Sequence, residues 1–205
     1  MAKQKSNRWM DRHVSDAYVK KSVADGYRSR AAYKILELNE KDKLFKTGMT
    51  VVDLGAAPGG WSQVVSEKIG ESGKIFALDL LPMDSFPQVD FIQGDFCDND
   101  VFDQLMDRLN GSAVDLVISD MAPNITGQRV IDQSKSMNLV ELALDFSLQV
   151  LKPGGDFVTK AFEGAGLADY RKEVQNNFTK VYNRKPGSSR SESRELFIVG
   201  KSRKI

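Results

Sequence analysis

Short apolar runs alternate along most of the chain with segments whose apolar residues recur every three or four positions. The apolar runs predict strands at 50–54, 74–79, 89–92, 114–119, 155–160, 178–183 and 195–200. The segments with helical spacing predict helices at 59–69, 98–109, 134–151 and 167–176. This alternation is typical of an α/β fold with a mainly parallel sheet and helices on both faces.

Three local signals refine this pattern. Ser29 is a candidate N-cap for a further helix before the first strand. The sequence KPGG (152–155) should stop the long helix that precedes it. No helix separates the last two strands, and their Ser-rich basic connection (185–194) predicts an antiparallel hairpin at one sheet edge. We therefore expect a basic arm with one short helix over residues 1–28 and a single seven-stranded domain over 29–205.

Positive charge is concentrated at the two ends of the chain. Residues 1–46 carry 12 Lys and Arg against 6 Asp and Glu, residues 47–170 carry 7 against 19, and residues 171–205 carry 10 against 3. This asymmetry suggests a polyanionic partner, although terminal segments are also often basic simply because they are solvated. The acidic middle favours a cationic ligand over a phosphate.

The chain lacks the signals of secretion and membrane insertion. Cys97 is the only cysteine, which excludes a disulfide framework and a zinc site built from cysteines. The N-terminus is polar, and no apolar stretch approaches the roughly 20 residues of a membrane helix. We therefore expect a cytoplasmic protein, in which the Asn-x-Ser/Thr matches at Asn110, Asn124 and Asn177 arise by chance.

The sequence VVDLGAAPGGW (51–61) passes from an apolar strand through an acid into a glycine-rich turn and a helix. In a doubly wound sheet such a turn opens a nucleotide-sized pocket. Dinucleotide-binding turns hold a pyrophosphate with backbone N–H groups, but Pro58 lacks this donor and the nearby acid adds negative charge. S-adenosylmethionine, which carries a sulfonium and an α-ammonium, suits this site better. The residues assigned to this cofactor are Asp53, Gly55, Gly59 and Trp61.

An acidic residue follows each of the first three predicted strands, at Asp53, Asp79 and Asp95. In doubly wound folds the acid after the second strand accepts hydrogen bonds from ribose hydroxyls. We expect Asp95 to accept one from an adenine amino group. Any one of the three could be a loop cap, but all three in register behind a glycine-rich turn favour cofactor binding. An NAD-dependent oxidoreductase would share Asp79 but not the Pro58 turn.

Two further candidates follow the fourth and fifth strands. Asp120 belongs to SDMAPN (119–124), where enzymes that methylate base amino groups often carry an aromatic residue that stacks on the base. This segment has no aromatic residue, which leaves oxygen as the methyl acceptor. Lys160 belongs to VTKAFEG (158–164). A lone lysine there is usually solvated, but neighbouring strand ends share one pocket, and this places Lys160 beside Asp120.

The segments SRAAYKILEL (29–38), DLGAAPGGW, SDMAPN and VTKAFEG together resemble the FtsJ/RrmJ family of S-adenosylmethionine-dependent RNA ribose 2′-O-methyltransferases. The resemblance extends over roughly residues 27–205 and implies a Rossmann-like class I methyltransferase fold. It places the family's Lys-Asp-Lys-Glu tetrad on Lys34, Asp120, Lys160 and Glu195. The size of the chain is similar to that of bacterial members that methylate a uridine ribose in the 23S rRNA of the assembled 50S subunit. A monomer is implied, and no metal is expected because no metal-ligand spacing occurs.

The resemblance implies methyl transfer to a ribose 2′-oxygen, and we take Lys160 as the base that removes the hydroxyl proton. If the nearby carboxylates keep Lys160 protonated, it would instead stabilise the developing oxyanion, and the sequence leaves both roles open. Asp120 could orient Lys160 and contact the methionine part of the cofactor. Lys34 could hold the target phosphate or ribose, and Glu195 could orient the two lysines.

RNA phosphates are expected to contact basic residues near both ends of the chain, namely Lys20, Lys21, Arg28, Arg30, Arg190 and Arg194. Tyr27 or Trp9 could stack on a base, although packing within the protein is the commoner role, and His13 has no expected part. Two alternatives stay open. One is a related enzyme that acts on tRNA or on an mRNA cap, and the other is an RNA-associated assembly factor without catalysis.

Overall fold

A computed structural model describes residues 16–205 of the chain, so Trp9 and His13 lie outside the described residues. The helices are α1 (Ala17–Ala24), α2 (Ala32–Asp42), α3 (Gly60–Ile69), α4 (Asn99–Leu109), α5 (Arg129–Val150) and α6 (Leu167–Asn177). The strands are β1 (Thr50–Leu54), β2 (Lys74–Asp79), β3 (Val89–Gln93), β4 (Val114–Ser119), β5 (Leu151–Phe162), β6 (Phe178–Arg184) and β7 (Glu195–Arg203). All seven predicted strands and the predicted helices are therefore confirmed, with some ends shifted.

The seven strands form one sheet in the order β3-β2-β1-β4-β5-β7-β6. Strands β1 to β5 pair in parallel, whereas β7 is antiparallel to both β5 and β6. The predicted antiparallel hairpin is thus confirmed, with β7 inserted between β5 and β6. The strand order reverses between β1 and β4, and this switch point opens a crevice at the carboxyl ends of the strands.

Apolar side chains alternate between the two faces of the sheet. In β1, Val52 and Leu54 pack into a core that includes residues of α4, α5 and α6, while Val51 packs into a second core with α2 and α3. In the second core the rings of Trp61 and Phe197 lie 5.6 Å apart between centroids. Helices therefore cover both faces of the sheet, as the alternating pattern predicts.

Helix α5 begins at Arg129, earlier than its predicted start at 134. The carboxylate of Asp132 accepts hydrogen bonds from the Thr126 hydroxyl at 2.7 Å and from the backbone N–H groups of Thr126 and Gly127 at 2.8 and 3.0 Å. These contacts fasten the incoming loop to the first helical turn. The apolar residues of that turn, Val130 and Ile131, are exposed, so they do not continue the buried apolar face on which the predicted start at 134 rested.

The prediction that Ser29 caps α2 is wrong. The helix begins at Ala32 with Ala31 at its N-cap position, and no side chain caps it. Ser29 instead packs against the start of α3, where a Cβ atom on Gly60 would lie 2.3 Å from its hydroxyl oxygen. Ser29 therefore contacts α3 instead of capping α2.

The KPGG segment ends α5 as predicted, since the helix stops at Val150, but the following strand starts earlier than expected. Strand β5 begins at Leu151, which pairs with Val114, and the next paired residues are Asp156 and Leu116. The intervening residues form an irregularity in the strand rather than a separate loop.

Within residues 16–205, no helix is both long enough and apolar enough to cross a membrane. In the same part of the chain, no three His, Cys, Asp or Glu residues are grouped so that they could hold a metal ion. The single cysteine, Cys97, is exposed.

Candidate active site

Strands β4 and β5 bring Asp120 and Lys160 together at the carboxyl edge of the sheet. Ser119 pairs with Thr159, so the residues that follow them lie side by side. The Lys160 ammonium lies 2.9 Å from Asp120 Oδ1 and donates a hydrogen bond to the Asp120 backbone carbonyl at 2.5 Å. The two side chains are only 8% and 16% exposed, so water screens this ion pair weakly.

Helix α2 and strand β7 supply a second ion pair. The Lys34 ammonium lies 2.9 Å from Glu195 Oε1, and each side chain is 12% exposed. In the antiparallel ladder Lys160 pairs with Phe197, two residues beyond Glu195, so Lys160 and Glu195 share one face of the sheet. The Lys34 ammonium lies 5.6 Å from the Phe197 ring centroid on this face. The fold thus brings together the four residues on which the resemblance places the tetrad.

The surroundings of Glu195 act on its pKa in opposite directions. Burial raises the pKa of this carboxyl, while the positive charges of Lys34 and Lys160 lower it. The lowering effects are the stronger, so the pKa of Glu195 lies below its ordinary value. Glu195 is therefore ionised at neutral pH and joins a compact cluster of alternating charges.

A cavity of about 810 Å³ opens beside Asp120 at the same edge of the sheet. Its walls come from the turn after β1, from the loops after β2, β3 and β4, and from the N-terminal half of α5. Four of the residues predicted to bind the cofactor line this cavity, namely Gly55, Asp79, Asp95 and Asp120. The acids after the second, third and fourth strands thus face one space, as their positions in the sequence suggested.

The turn after β1 passes close to the loop after β4. Gly55 has a φ of +80°, and a Cβ atom there would lie 2.8 Å from the backbone nitrogen of Met121, so glycine is required. Asp79 joins this turn to the loop after β2, because its carboxylate accepts hydrogen bonds from the N–H groups of Ala57 at 2.9 Å and Leu81 at 2.8 Å. These contacts fix the shape of the cavity without a bound ligand.

Asp53 lies behind the turn and is fully buried. One carboxylate oxygen accepts a hydrogen bond from the Ser62 hydroxyl at 2.6 Å, and Oδ1 has no hydrogen-bond partner among the described residues. Burial raises the pKa of Asp53 to about 7, against the lowering effect of the Ser62 hydrogen bond, and the charges of Asp120 and Asp79 raise it further. Asp53 therefore lies behind the turn after β1, outside the cavity lining, and its Oδ1 atom has no hydrogen-bond partner among the described residues.

Gly59 and Trp61, also predicted to bind the cofactor, lie outside the cavity lining. A Cβ atom on Gly59 would lie 2.9 Å from the Phe86 ring, so this glycine allows the loop after β2 to pack on the turn. The Trp61 indole is buried and donates a hydrogen bond to the Ala31 carbonyl at 2.8 Å. Both residues shape the turn rather than face the cavity.

The lining of the cavity suits a ligand that donates hydrogen bonds and carries positive charge. Its only basic residue in the described part of the chain is Lys135, against the carboxylates of Asp79, Asp95 and Asp120. Oδ1 of Asp120 accepts no hydrogen bond within the described residues, although the Lys160 ammonium is within ion-pair distance. The excess of carboxylates in the lining favours a ligand with hydroxyl, amino and ammonium donors over an anionic dinucleotide.

Residues 27–203 match the family model described as FtsJ-like methyltransferase. The chain belongs to this family. It is 57% identical to the "Ribosomal RNA large subunit methyltransferase E" of Cellvibrio japonicus, over 98% of this chain and 96% of that protein. It is 55% identical to the protein of the same name from Marinobacter nauticus, over the full length of both. A solved structure titled as a ribosomal RNA methyltransferase of Plasmodium falciparum is similar, with 31% identity, a TM-score of 0.78, and coverage of 86% of this chain and 98% of that chain.

In this FtsJ-like methyltransferase some of the predicted RNA contacts near the N-terminus are exposed, whereas others bind groups within the protein. Lys20 and Lys21 are exposed on α1, and the Lys21 ammonium lies 4.7 Å from the Tyr33 ring centroid. Tyr27, a candidate for base stacking, packs edge-on against Tyr33 with 5.7 Å between centroids. Arg28 donates hydrogen bonds to backbone carbonyls beside the cavity. The two lysines therefore face solvent, whereas Arg28 has partners within the protein.

The predicted RNA contacts near the C-terminus lie in or beside the loop 185–194. Arg190 lies 3.6 Å from Asp16, and Arg30 pairs with the same carboxylate while donating a hydrogen bond to the Ser188 carbonyl. Arg194 donates to a backbone carbonyl just after β5 at 3.2 Å. Basic residues that the sequence assigned to RNA therefore join this loop to the residues that flank α1.

Glu37 is a site residue that the sequence analysis missed. Its carboxylate accepts hydrogen bonds from the N–H groups of Gly187 at 2.6 Å and Ser188 at 2.9 Å, which fastens the loop 185–194 to α2 one turn after Lys34. A glutamate on a helix surface normally indicates a solvated position, and the partners lie 150 residues away in sequence. The one available signal was its place within the SRAAYKILEL segment.

Proposed function

We propose that this chain transfers a methyl group from S-adenosylmethionine to the 2′-oxygen of a uridine ribose in 23S rRNA. The observation that carries the proposal is the Lys160–Asp120 ion pair at the edge of the 810 Å³ cavity, with the Lys34–Glu195 pair beside it. The loop after β4 carries no aromatic residue for base stacking, which supports oxygen as the acceptor. The names of the bacterial relatives support large-subunit ribosomal RNA as the substrate.

The cavity residues suggest how the cofactor would be held. Asp95 would accept from the adenine amino group, Asp79 from the ribose hydroxyls, and Asp120 from the ammonium of the methionine part. Asp53, whose pKa burial raises to about 7, would gain negative charge beneath the turn as the cationic cofactor binds, because a nearby positive charge lowers the pKa of a carboxyl. When bound, S-adenosylmethionine supplies a methyl group on a sulfonium that is open to attack by a ribose oxygen.

Lys160 would take the proton of the ribose hydroxyl once its own ammonium has released a proton to solvent, because a hydroxyl is a weak nucleophile until its proton begins to leave. The carboxylate and backbone carbonyl of Asp120 hold the lysine nitrogen in one position, which favours alignment with the acceptor. Lys34 would neutralise the phosphate of the target nucleotide, and Glu195 would keep Lys34 directed toward it. The alternative role for Lys160, stabilisation of the developing oxyanion by its charge, uses the same contacts.

RNA would bind through the basic ends of the chain. We propose that residues 29–205 form the methyltransferase domain and that residues 1–28 form a basic arm that extends the RNA contact. The exposed Lys20 and Lys21 and the basic loop 185–194 would neutralise phosphates, so affinity should fall steeply with salt. We further propose that a monomer acts in the cytoplasm on the assembled 50S subunit.

The test uses radiolabelled S-adenosylmethionine with three substrates, namely large subunits from a strain that lacks the gene, free ribosomal RNA and tRNA. Nucleoside analysis then identifies the labelled product. We expect 2′-O-methyluridine from the large subunit with the wild-type protein and none with Lys160→Ala. Lys172→Ala is the matched control, because Lys172 is 73% exposed and, among residues 16–205, forms its ion pair with Asp169 on its own helix.

The outcomes separate the rival functions. Label in tRNA would keep the reaction and change the substrate. An absence of label in every RNA, with cofactor binding demonstrated by calorimetry, would favour an assembly factor on the same fold. Failure to bind S-adenosylmethionine at all would overturn the proposal.

A further inference from the structure

Arg28 lies between α1 and α2, and its backbone is fixed to α3. Its N–H group donates to Gln63 Oε1 at 3.0 Å, and the Gln63 amide donates to the Gly26 carbonyl at 2.9 Å. Gln63 lies in the first turn of α3, the helix that directly follows the turn after β1. The side chain of Arg28 is therefore held beside that turn by contacts of its own backbone.

The Arg28 guanidinium joins two walls of the cavity. It donates to the Pro58 carbonyl in the turn after β1 at 3.4 Å. It also donates to the carbonyls of Asp84 and Ser85, at 2.7 and 3.4 Å, in the loop 80–88 after β2. The guanidinium carbon lies 3.6 Å from the Phe86 ring centroid, well within cation–π distance. One side chain thus bridges the turn and the middle of the loop.

The loop 80–88 matters because it carries part of the cavity lining. Leu80 and Leu81 line the cavity and are 58% and 62% exposed. The loop contains no helix or strand, so few backbone hydrogen bonds hold it. Segments with few buried contacts open at low free-energy cost. Hydrogen bonds to Asp79 and Ser66 hold the two ends of the loop, whereas the Arg28 contacts and the packing of Phe86 on Gly59 hold its middle.

We propose that Arg28 is a positioning residue for cofactor binding, which holds the loop 80–88 against the turn after β1. A wall that is already ordered lowers the entropic cost of binding a ligand. The inference rests on the proposed function, because it takes this cavity as the S-adenosylmethionine site. It also replaces the RNA contact predicted for Arg28, since a guanidinium with three carbonyl partners and an aromatic face has few donors left for phosphate.

Calorimetric binding of S-adenosylmethionine to the full chain without RNA tests the inference. We expect Arg28→Ala to raise the Kd about tenfold, the scale of a lost cation–π contact with its hydrogen bonds. Arg28→Lys should recover only part of the affinity, because an ammonium lacks the planar fork. In turnover assays the loss should fall on the KM for the cofactor more than on kcat. The matched control is Arg108→Ala, because Arg108 likewise donates to a backbone carbonyl, in addition to its ion pair with Asp90, but lies outside the cavity lining.

Phe86→Leu provides a second route to the same conclusion. This change keeps apolar bulk and removes the ring, so it should weaken cofactor binding in the same direction. Because the two side chains act through one contact, the loss in the combined Arg28→Ala and Phe86→Leu variant should be less than the sum of the single losses.

Hydrogen exchange of the cofactor-free protein gives a readout that is independent of turnover. Amides of the loop 80–88 should exchange faster in Arg28→Ala than in the wild type, while those of β1 and β4 stay protected. Unchanged exchange and unchanged Kd in this variant, with a wild type that binds the cofactor, would overturn the inference and leave the proposed function intact. A wild type that does not bind would overturn the proposed function itself. If Arg28→Ala weakened RNA binding but left the Kd for S-adenosylmethionine unchanged, the inference would be overturned and Arg28 would be an RNA contact, as the sequence predicted.

Discussion

The Lys160 ammonium contacts Asp120 twice, through carboxylate Oδ1 at 2.9 Å and through the backbone carbonyl at 2.5 Å. The pairing of β4 with β5, rather than a loop, sets the separation of the two residues. The lysine nitrogen is therefore held at the border between the cavity and the second ion pair. This position supports the proposal that Lys160 acts on the ribose hydroxyl.

The first prediction concerns the loss of this nitrogen. Lys160→Ala should lower kcat by about 100- to 10,000-fold, the range of general acid–base catalysis. The Kd for S-adenosylmethionine should change little, because Asp79, Asp95 and Gly55 remain in place. Single-turnover transfer to large subunits measures the first quantity, and calorimetry measures the second. Retained activity of Lys160→Ala would mean that Lys160 is not needed for methyl transfer.

The second prediction separates the two roles open to Lys160. Lys160→Arg keeps a positive charge of similar length, but a guanidinium does not release its proton at working pH. If Lys160 is the base, as we propose, this variant should be as inactive as Lys160→Ala while still binding the cofactor. Substantial residual turnover in the arginine variant would instead favour stabilisation of the oxyanion by charge. Transfer assays across pH 6 to 9 would make the comparison independent of a shifted optimum.

The strands and helices could be predicted from the sequence because each has its own local spacing of apolar residues. Strands such as β1 and β4 are continuous apolar runs, which parallel strands buried on both faces require. The ends of elements were less predictable, because they depend on contacts with distant residues or with polar side chains. Asp132 binds the loop that precedes α5 from inside the first helical turn, and Ser29 packs against Gly60 instead of capping α2.

The same distinction applies to the site. Asp79, Asp95 and Asp120 could be placed in one cavity because each follows a predicted strand. The roles of Glu37 and Arg28 could not be predicted, because the groups that they contact lie far away in sequence and are backbone groups, which any residue could supply. The sequence pattern also did not predict that β7 lies between β5 and β6. This strand order places Glu195 where it can pair with Lys34.

The third prediction concerns the loop 185–194, which Glu37 fastens to α2. Glu37→Ala removes the acceptor of two backbone N–H groups just before Glu195 in the chain. The loop should then open more often, with faster trypsin cleavage after Arg190. Misplacement of Glu195 should lower kcat by about 10- to 100-fold, the scale of small errors in alignment. Cofactor affinity should be unaffected.

Glu40→Ala is the matched control for this prediction, because Glu40 is an exposed glutamate on the same helix. It should leave the cleavage pattern and kcat unchanged. Equal effects of the two substitutions would mean that the charge of α2, rather than the hydrogen bonds to the loop, is responsible.

The last prediction concerns Asp53 and the dependence of stability on pH. Burial raises the pKa of this carboxyl from an ordinary 3.8 to about 7. Between these two pH values the folded protein binds a proton at Asp53 that the unfolded chain has released. The free energy of unfolding should therefore fall as the pH rises from about 4 to about 7, by a few kcal/mol at most from this group.

Urea unfolding at several pH values tests this prediction in the wild type and in Asp53→Asn. The amide keeps an oxygen that can accept the Ser62 hydrogen bond but does not titrate, so the difference in stability between the two proteins should change with pH in this window. Relative to the variant, the wild type should lose stability toward neutral pH. Asp169→Asn is the control, because that carboxylate is 84% exposed and its removal should leave the slope unchanged. Parallel pH profiles for the wild type and Asp53→Asn would mean that Asp53 is already ionised in the folded protein throughout the window. The buried Oδ1 without a partner would then need a cation or a water to stabilise its charge.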